Sequence, residues 1–216
     1  MNSERTPAFP SRLPQVGTTI FTVMSALAAQ HQAVNLGQGF PDFDCDPGLV
    51  DGVTAAMKQG HNQYPPMTGV PGLRDAIAAK IEAIYGHCYD AASEITVTAG
   101  ATQAILTAIL CCAGPGDEVI VLEPCYDSYV PNIELAGASV VRVPLVPGSF
   151  RPDWDKIAAA LSPRTRAILI NSPHNPSGMV WSAADMHQLE ELLAPTDVLV
   201  ISDEVYEHMV YAPLRH

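Results

Sequence analysis

Residues 167–178 read Ala-Ile-Leu-Ile-Asn-Ser-Pro-His-Asn-Pro-Ser-Gly. Four apolar residues run without interruption into eight residues of turn chemistry. A short continuous apolar run is the mark of a strand buried on both faces. The same rhythm recurs at Val119–Leu122, Ser139–Val143 and Val198–Ile201, and a further β-rich run lies at Ile95–Thr98. Helical stretches separate them, near 102–112, 127–136, 153–161 and 183–193. Apolar strands alternating with helices predict an α/β fold: a mostly parallel sheet with helices on both faces.

Upstream of this region the pattern is helical. Thr18 or Thr19 can cap a helix to about His31, with Phe21, Met24, Leu27 and Ala28 on one side. A second helix is expected at about 47–59. Pro71 opens a third, with Leu73, Ile77, Ile81 and Ile84 at helical spacing. Residues 1–17 read as an extended arm. Residues 1–45 are expected to be an arm and helix of a smaller domain, and 46–216 an incomplete large domain.

Composition narrows the function. Hydrophobic residues make up 48% and charged residues 16% of the 216, enough for a sizeable core. With 23 Asp+Glu against 11 Lys+Arg, the chain has no basic surplus for nucleic acid or anionic membrane. No stretch approaches the ~18 apolar residues of a membrane span. The 5 cysteines form no CxxC, which favours a reduced, cytoplasmic setting; Cys111 and Cys112 read as core. Asp42, Asp44 and Asp46 lack the glycine and the closing glutamate of a calcium loop, and the histidines show no HExxH, so no metal site is expected.

Ligands of such sheets bind at the carboxyl ends of the strands. Four segments there carry chemistry. In Thr98–Gln103, amides of Gly100, Ala101 and Thr102 at a helix start suit an anion, or simply permit a tight turn. Tyr126 can cover a planar ligand, or the core edge. Asn175 is fixed by two prolines and can donate a hydrogen bond, or serves turn chemistry alone. Asp203, delivered by Val198–Ile201, is costly there unless it meets a cation, such as a protonated pyridine nitrogen, or caps the next turn.

Together the strings NLGQGFPDF, NQYPPMTGVPGLR, TVTAGATQA, GDEVIVLEPCYDSY, NSPHNPSG and ISDEVYEH resemble, in order, the fold type I aminotransferases, especially the methionine, glutamine and kynurenine branch. The resemblance covers nearly all of residues 12–210. It implies pyridoxal 5'-phosphate as cofactor, with an amino acid and a 2-oxo acid as substrates and a homodimer in the full-length protein. It pairs Asp203 with the pyridine nitrogen, and Asn175 and Tyr206 with the phenolic oxygen. It stacks Tyr126 on the ring and gives Gly100, Ala101 and Thr102 the phosphate. It extends Tyr64 to the neighbouring subunit's cofactor phosphate. Gly39 and Asn175 would touch the substrate carboxylate, and Phe21 would line the side-chain pocket.

The family's Schiff-base lysine lies a few dozen residues beyond the DEVY motif. The chain's own lysines, Lys58, Lys80 and Lys156, lack its context. No catalytic residue is therefore assigned, and the 216-residue chain alone is expected to be inactive and prone to aggregate. The alternatives are a pyridoxal-phosphate-dependent carbon–sulfur β-lyase and a catalytically dead cofactor-binding remnant.

Overall fold

The computed structural model describes residues 11–39 and 41–216. They form two compact units. One is Thr18–Thr98. The other is Ala99–His216 together with residues 11–17, whose Arg12 guanidinium donates to the Leu135 carbonyl at 2.6 Å.

The Thr18–Thr98 unit holds α1 (Ile20–Gln30), α2 (Pro47–Lys58) and α3 (Pro71–Tyr85). Each start has its reason. The Thr19 hydroxyl accepts from the Thr22 amide, and the Asp46 carboxylate accepts from Gly48 N at 2.7 Å. Pro71 stands at the first turn of α3, where no amide is needed, and Gly86 closes that helix in the left-handed region. No residue of these three helices is fully buried.

The run Ile95–Thr98 joins no ladder, contrary to the strand expected from its composition. Its Val97 amide donates to the Thr68 carbonyl at 3.0 Å, so it packs on the turn before α3 rather than beside a strand. β-Rich composition suits a pleated surface but supplies no partner. Gly69 makes the close approach possible. It sits at φ +103°, and a Cβ there would lie 2.6 Å from Val97 Cγ2. Gly69→Ala should cost about 1–3 kcal/mol, from overpacking with backbone strain added. A lowered urea midpoint at unchanged slope would show this; an unchanged midpoint would contradict it.

The second unit is the predicted α/β sandwich. Its order is α4 (Ala101–Cys112), β1 (Glu118–Glu123), α5 (Tyr129–Ala136), β2 (Ser139–Pro144), α6 (Trp154–Ala160), β3 (Thr165–Asn171), α7 (Ala183–Leu193) and β4 (Leu199–Asp203). The strands lie β2-β1-β3-β4, every pair parallel. Strand residues alternate between two cores. Ile120, Leu122, Ile168 and Ile170 face Ile157 of α6 and Leu189 and Leu193 of α7. Val119, Val121, Ala167 and Leu169 face Ile105 and Ile109 of α4 and Tyr129 and Ile133 of α5. A capping box between Ser182 and Asp185 opens α7.

Cys111 and Cys112 are not core. Cys111 is exposed and Cys112 half-buried. The inward stripe of α4 is set by Ile105 and Ile109, four residues apart, which leaves Cys112 at its margin and turns Cys111 outward.

Candidate active site

β3 and β4 end side by side, with Asn171 opposite Asp203 in the parallel register. This places two polar side chains at the carboxyl edge of an apolar sheet. β1 ends nearby in Glu123, and the loop after it carries Tyr126 before α5 begins. The turn into α4 supplies Gly100, whose φ of 87° and ψ of 166° lie in a region open essentially to glycine alone.

These strand ends enclose a cavity of about 230 Å³. It is lined by Gly100, Ala101, Thr102, Tyr126, Asn175, Asp203 and Tyr206, all singled out from sequence, and also by Ala99, Ile105, Tyr129, Asn171 and Val205. Drug-sized ligands occupy roughly 300–1,000 Å³, so this space suits one substituted ring. Phe21, Gly39 and Tyr64 belong to the Thr18–Thr98 unit. There Phe21 is half-buried on α1, Gly39 is exposed, and Tyr64 is 99% exposed on a loop.

Asp203 is 7% exposed and held from several sides. Tyr129 donates its hydroxyl to Oδ2 at 2.6 Å, and the Val205 amide donates to Oδ1 at 3.1 Å. The Asp203 carbonyl accepts from Asn171 Nδ2 at 2.9 Å and from the Ser172 amide at 3.1 Å. Among the described residues, no lysine or arginine pairs with its carboxylate. A buried carboxylate held by neutral donors alone is costly unless a cation meets it.

The part of the cavity wall at the start of α4 suits an anion. α4 starts at Ala101 with no side chain capping it, and its first-turn residues Ala101 and Thr102 line the space. First-turn amides and the helix dipole favour negative charge there. On the cavity wall the Tyr126 ring meets the Tyr129 ring edge-to-face, centroids 5.8 Å apart. Cys125, next to it, is pushed up to about 11 by burial above all, which keeps it a thiol.

The loop 171–178 is pinned by its own residues. Asn171 Oδ1 accepts from the Asn175 amide at 2.6 Å, and Ser172–Pro173 and Asn175–Pro176 are cis. His174 is buried, and that burial lowers its pKa; its Nδ1 shares a 2.6 Å hydrogen bond with Ser177. It is absent from the cavity lining and serves the loop. Tyr129 and Asn171 were not singled out from sequence as site residues. Neither carried a decisive local signal: Tyr129 stands three residues after the loop residue Tyr126, and Asn171 is the last residue of its strand, as Asp203 is of the next.

Similarity to known proteins agrees with this geometry. The family model described as "Aminotransferase class I and II" matches residues 31–216. Methionine aminotransferase of Escherichia coli (strain K12) is 54% identical over 211 residues, covering 97% of this chain and 55% of the relative. The probable N-succinyldiaminopimelate aminotransferase DapC of Mycobacterium tuberculosis is 49% identical over 208 residues, covering 95% and 52%. The solved structure of YbdL from Escherichia coli, described with a methionine aminotransferase function, superposes with a TM-score of 0.90 at 56% identity, covering 94% of this chain and 53% of its own. The chain thus spans about half the length of the curated relatives it matches. A family match over most of the chain and identity above half to one relative leave one reading: this chain belongs to the class I and II aminotransferases, enzymes that depend on pyridoxal phosphate.

Proposed function

We propose that the cavity at the ends of β1, β3 and β4 takes pyridoxal phosphate, and that the protein carrying this chain moves an amino group between an amino acid and a 2-oxo acid. The observation that carries this reading is Asp203, buried on the cavity wall with hydrogen-bond donors and, among the described residues, no lysine or arginine on its carboxylate. Bound there, pyridoxal phosphate supplies an electron-withdrawing ring that stabilises negative charge at the substrate α-carbon.

The chain's own residues divide the work of holding it. Asp203 balances the protonated ring nitrogen. Tyr126 covers a ring face, and Asn175 and Tyr206 hydrogen-bond the phenolic oxygen. Gly100, Ala101 and Thr102 present amides, and Thr102 a hydroxyl, to the phosphate. We assign Gly39, Asn175 and Phe21 to substrate, and Tyr64 to the cofactor phosphate of a partner subunit in a homodimer; these roles rest on the family resemblance. So does the division into a small-domain arm, 1–45, and a cofactor-binding large domain, 46–216. A preference for methionine, glutamine or aromatic donors is supported by the identity to methionine aminotransferase.

No lysine lines the cavity among the described residues, and Lys156 is paired with Asp153 at 2.7 Å. Amino transfer therefore needs a lysine that this cavity does not itself provide.

Titration of the chain with pyridoxal phosphate, followed by absorbance, should saturate, and pyridoxal without phosphate should bind more weakly. Lack of saturation would overturn the cofactor assignment. In the complete protein, 2-oxo acid should form from the donor only when an oxo-acid acceptor is present. Acceptor-independent release of ammonia and pyruvate from a cysteine conjugate would instead mark a carbon–sulfur β-lyase. Tyr126→Ala should weaken cofactor binding by about 2–10-fold, the worth of one aromatic stacking contact. Equal affinity in the same titration would remove Tyr126 from the ring face.

A further inference from the structure

Tyr129 is buried, yet it touches both Asp203 and Tyr126 at the cavity wall. Its backbone position is fixed by α5, where it is the first residue, packed with Ile133 against Val119 and Val121. Its hydroxyl reaches Asp203 on β4, 74 residues away in sequence. Burial first, and the Asp203 hydrogen bond second, push its pKa far above the ordinary tyrosine value, so it remains a donor throughout the working range.

We propose that Tyr129 is a positioning residue that acts through Asp203, fixing the carboxylate and drawing on its charge so that a proton shared with the cofactor's ring nitrogen stays on the ring. This rests on the assignment of the cavity to pyridoxal phosphate. A hydrogen bond donated to a carboxylate favours its charged form. Without that donor, the carboxylate competes better for the shared proton. The Val205 amide on Oδ1 keeps the other oxygen in place but cannot replace the lost donor on Oδ2.

Tyr129→Phe keeps the ring, its packing and its edge contact with Tyr126, and removes only the hydroxyl. Pyridoxal phosphate affinity is measured by titration for four chains: the parent, Tyr129→Phe, Asp203→Asn and the double variant. The expected loss from Tyr129→Phe is about tenfold in the parent background. It should fall below about twofold when Asp203 is already Asn, because the effect then has no route. The 15N shift of ring-labelled pyridoxal phosphate should move toward the unprotonated value in Tyr129→Phe. A purely structural role would give the same loss in both backgrounds and an unmoved 15N shift, and either result overturns the proposal. Unchanged affinity in Tyr129→Phe also overturns it, while leaving the cofactor assignment standing. If the parent chain does not bind saturably, the cofactor assignment itself has failed and this inference with it.

Discussion

Asp203→Asn is expected to weaken pyridoxal phosphate binding by about 10²–10³-fold, while leaving the unliganded chain as stable as before or more so. The two halves have one cause. With the ligand bound, the carboxylate is one member of a buried ion pair, and removing one member of such a pair costs about 3–5 kcal/mol. At 1.4 kcal/mol per tenfold, the lower part of that range is about two to three orders of magnitude. Without ligand, the carboxylate is 7% exposed and meets a hydroxyl and an amide but no cation. An amide of the same shape keeps both partners if its oxygen accepts from Val205 and its NH2 donates to the Tyr129 hydroxyl oxygen, and it relieves the burial of charge. Isothermal titration would read the first effect and urea unfolding the second. Unchanged affinity, or a loss of stability that parallels the loss of binding, would show that Asp203 is a structural cap on the turn after β4.

Ile168→Ala should destabilise the second unit by about 2–5 kcal/mol, the range for deleting a buried aliphatic side chain. Ile168 is 0% exposed on β3, paired with Ile120 of β1 on one side and Val200 of β4 on the other. Its side chain joins the core shared by Ile157, Trp181, Leu189 and Leu193. The strand therefore has no face on which the cavity left behind could collapse without moving α6 or α7. The site would suffer as well, since β3 ends in Asn171, whose amide holds the Asp203 carbonyl. A change below about 0.5 kcal/mol, the usual ceiling for surface sites, would mean the layered packing is wrong at this strand.

The fold was legible where a residue's effect is local. Thr19, Asp46, Pro71 and Gly86 mark helix ends by side-chain or backbone chemistry that needs no partner from elsewhere in the chain. The central strands β1 and β3 were legible because both faces are buried, which leaves a continuous apolar signature; β2 and β4 carry similar apolar runs although residues such as Leu199 and Val200 are exposed. Ile95–Thr98 shows where that reasoning stops. Its residue types suit a strand, but membership of a ladder depends on a neighbour, and the neighbour it meets is the turn at Thr68 and Gly69. Cys111 was read inward because its surroundings in sequence are apolar; the actual facing of α4 is set by where Ile105 and Ile109 lie.

The site divides the same way. Residues at strand ends with distinctive chemistry, such as Asp203 and Asn175, stand out in the string, and the structure gathers them round one cavity. Tyr129 and Asn171 became visible only through long-range placement. The first depends on how α5 lies against β4, and the second on the β3–β4 register. Their roles are contacts across 74 and 32 residues of sequence, which no local pattern records.

The most direct test is a crystal structure of the chain with pyridoxal phosphate. The ring nitrogen should lie about 3 Å from an Asp203 carboxylate oxygen, within hydrogen-bond reach, with Tyr126 over the ring and the phosphate at the start of α4. A cofactor bound elsewhere, or one whose nitrogen faces away from Asp203, would contradict the account.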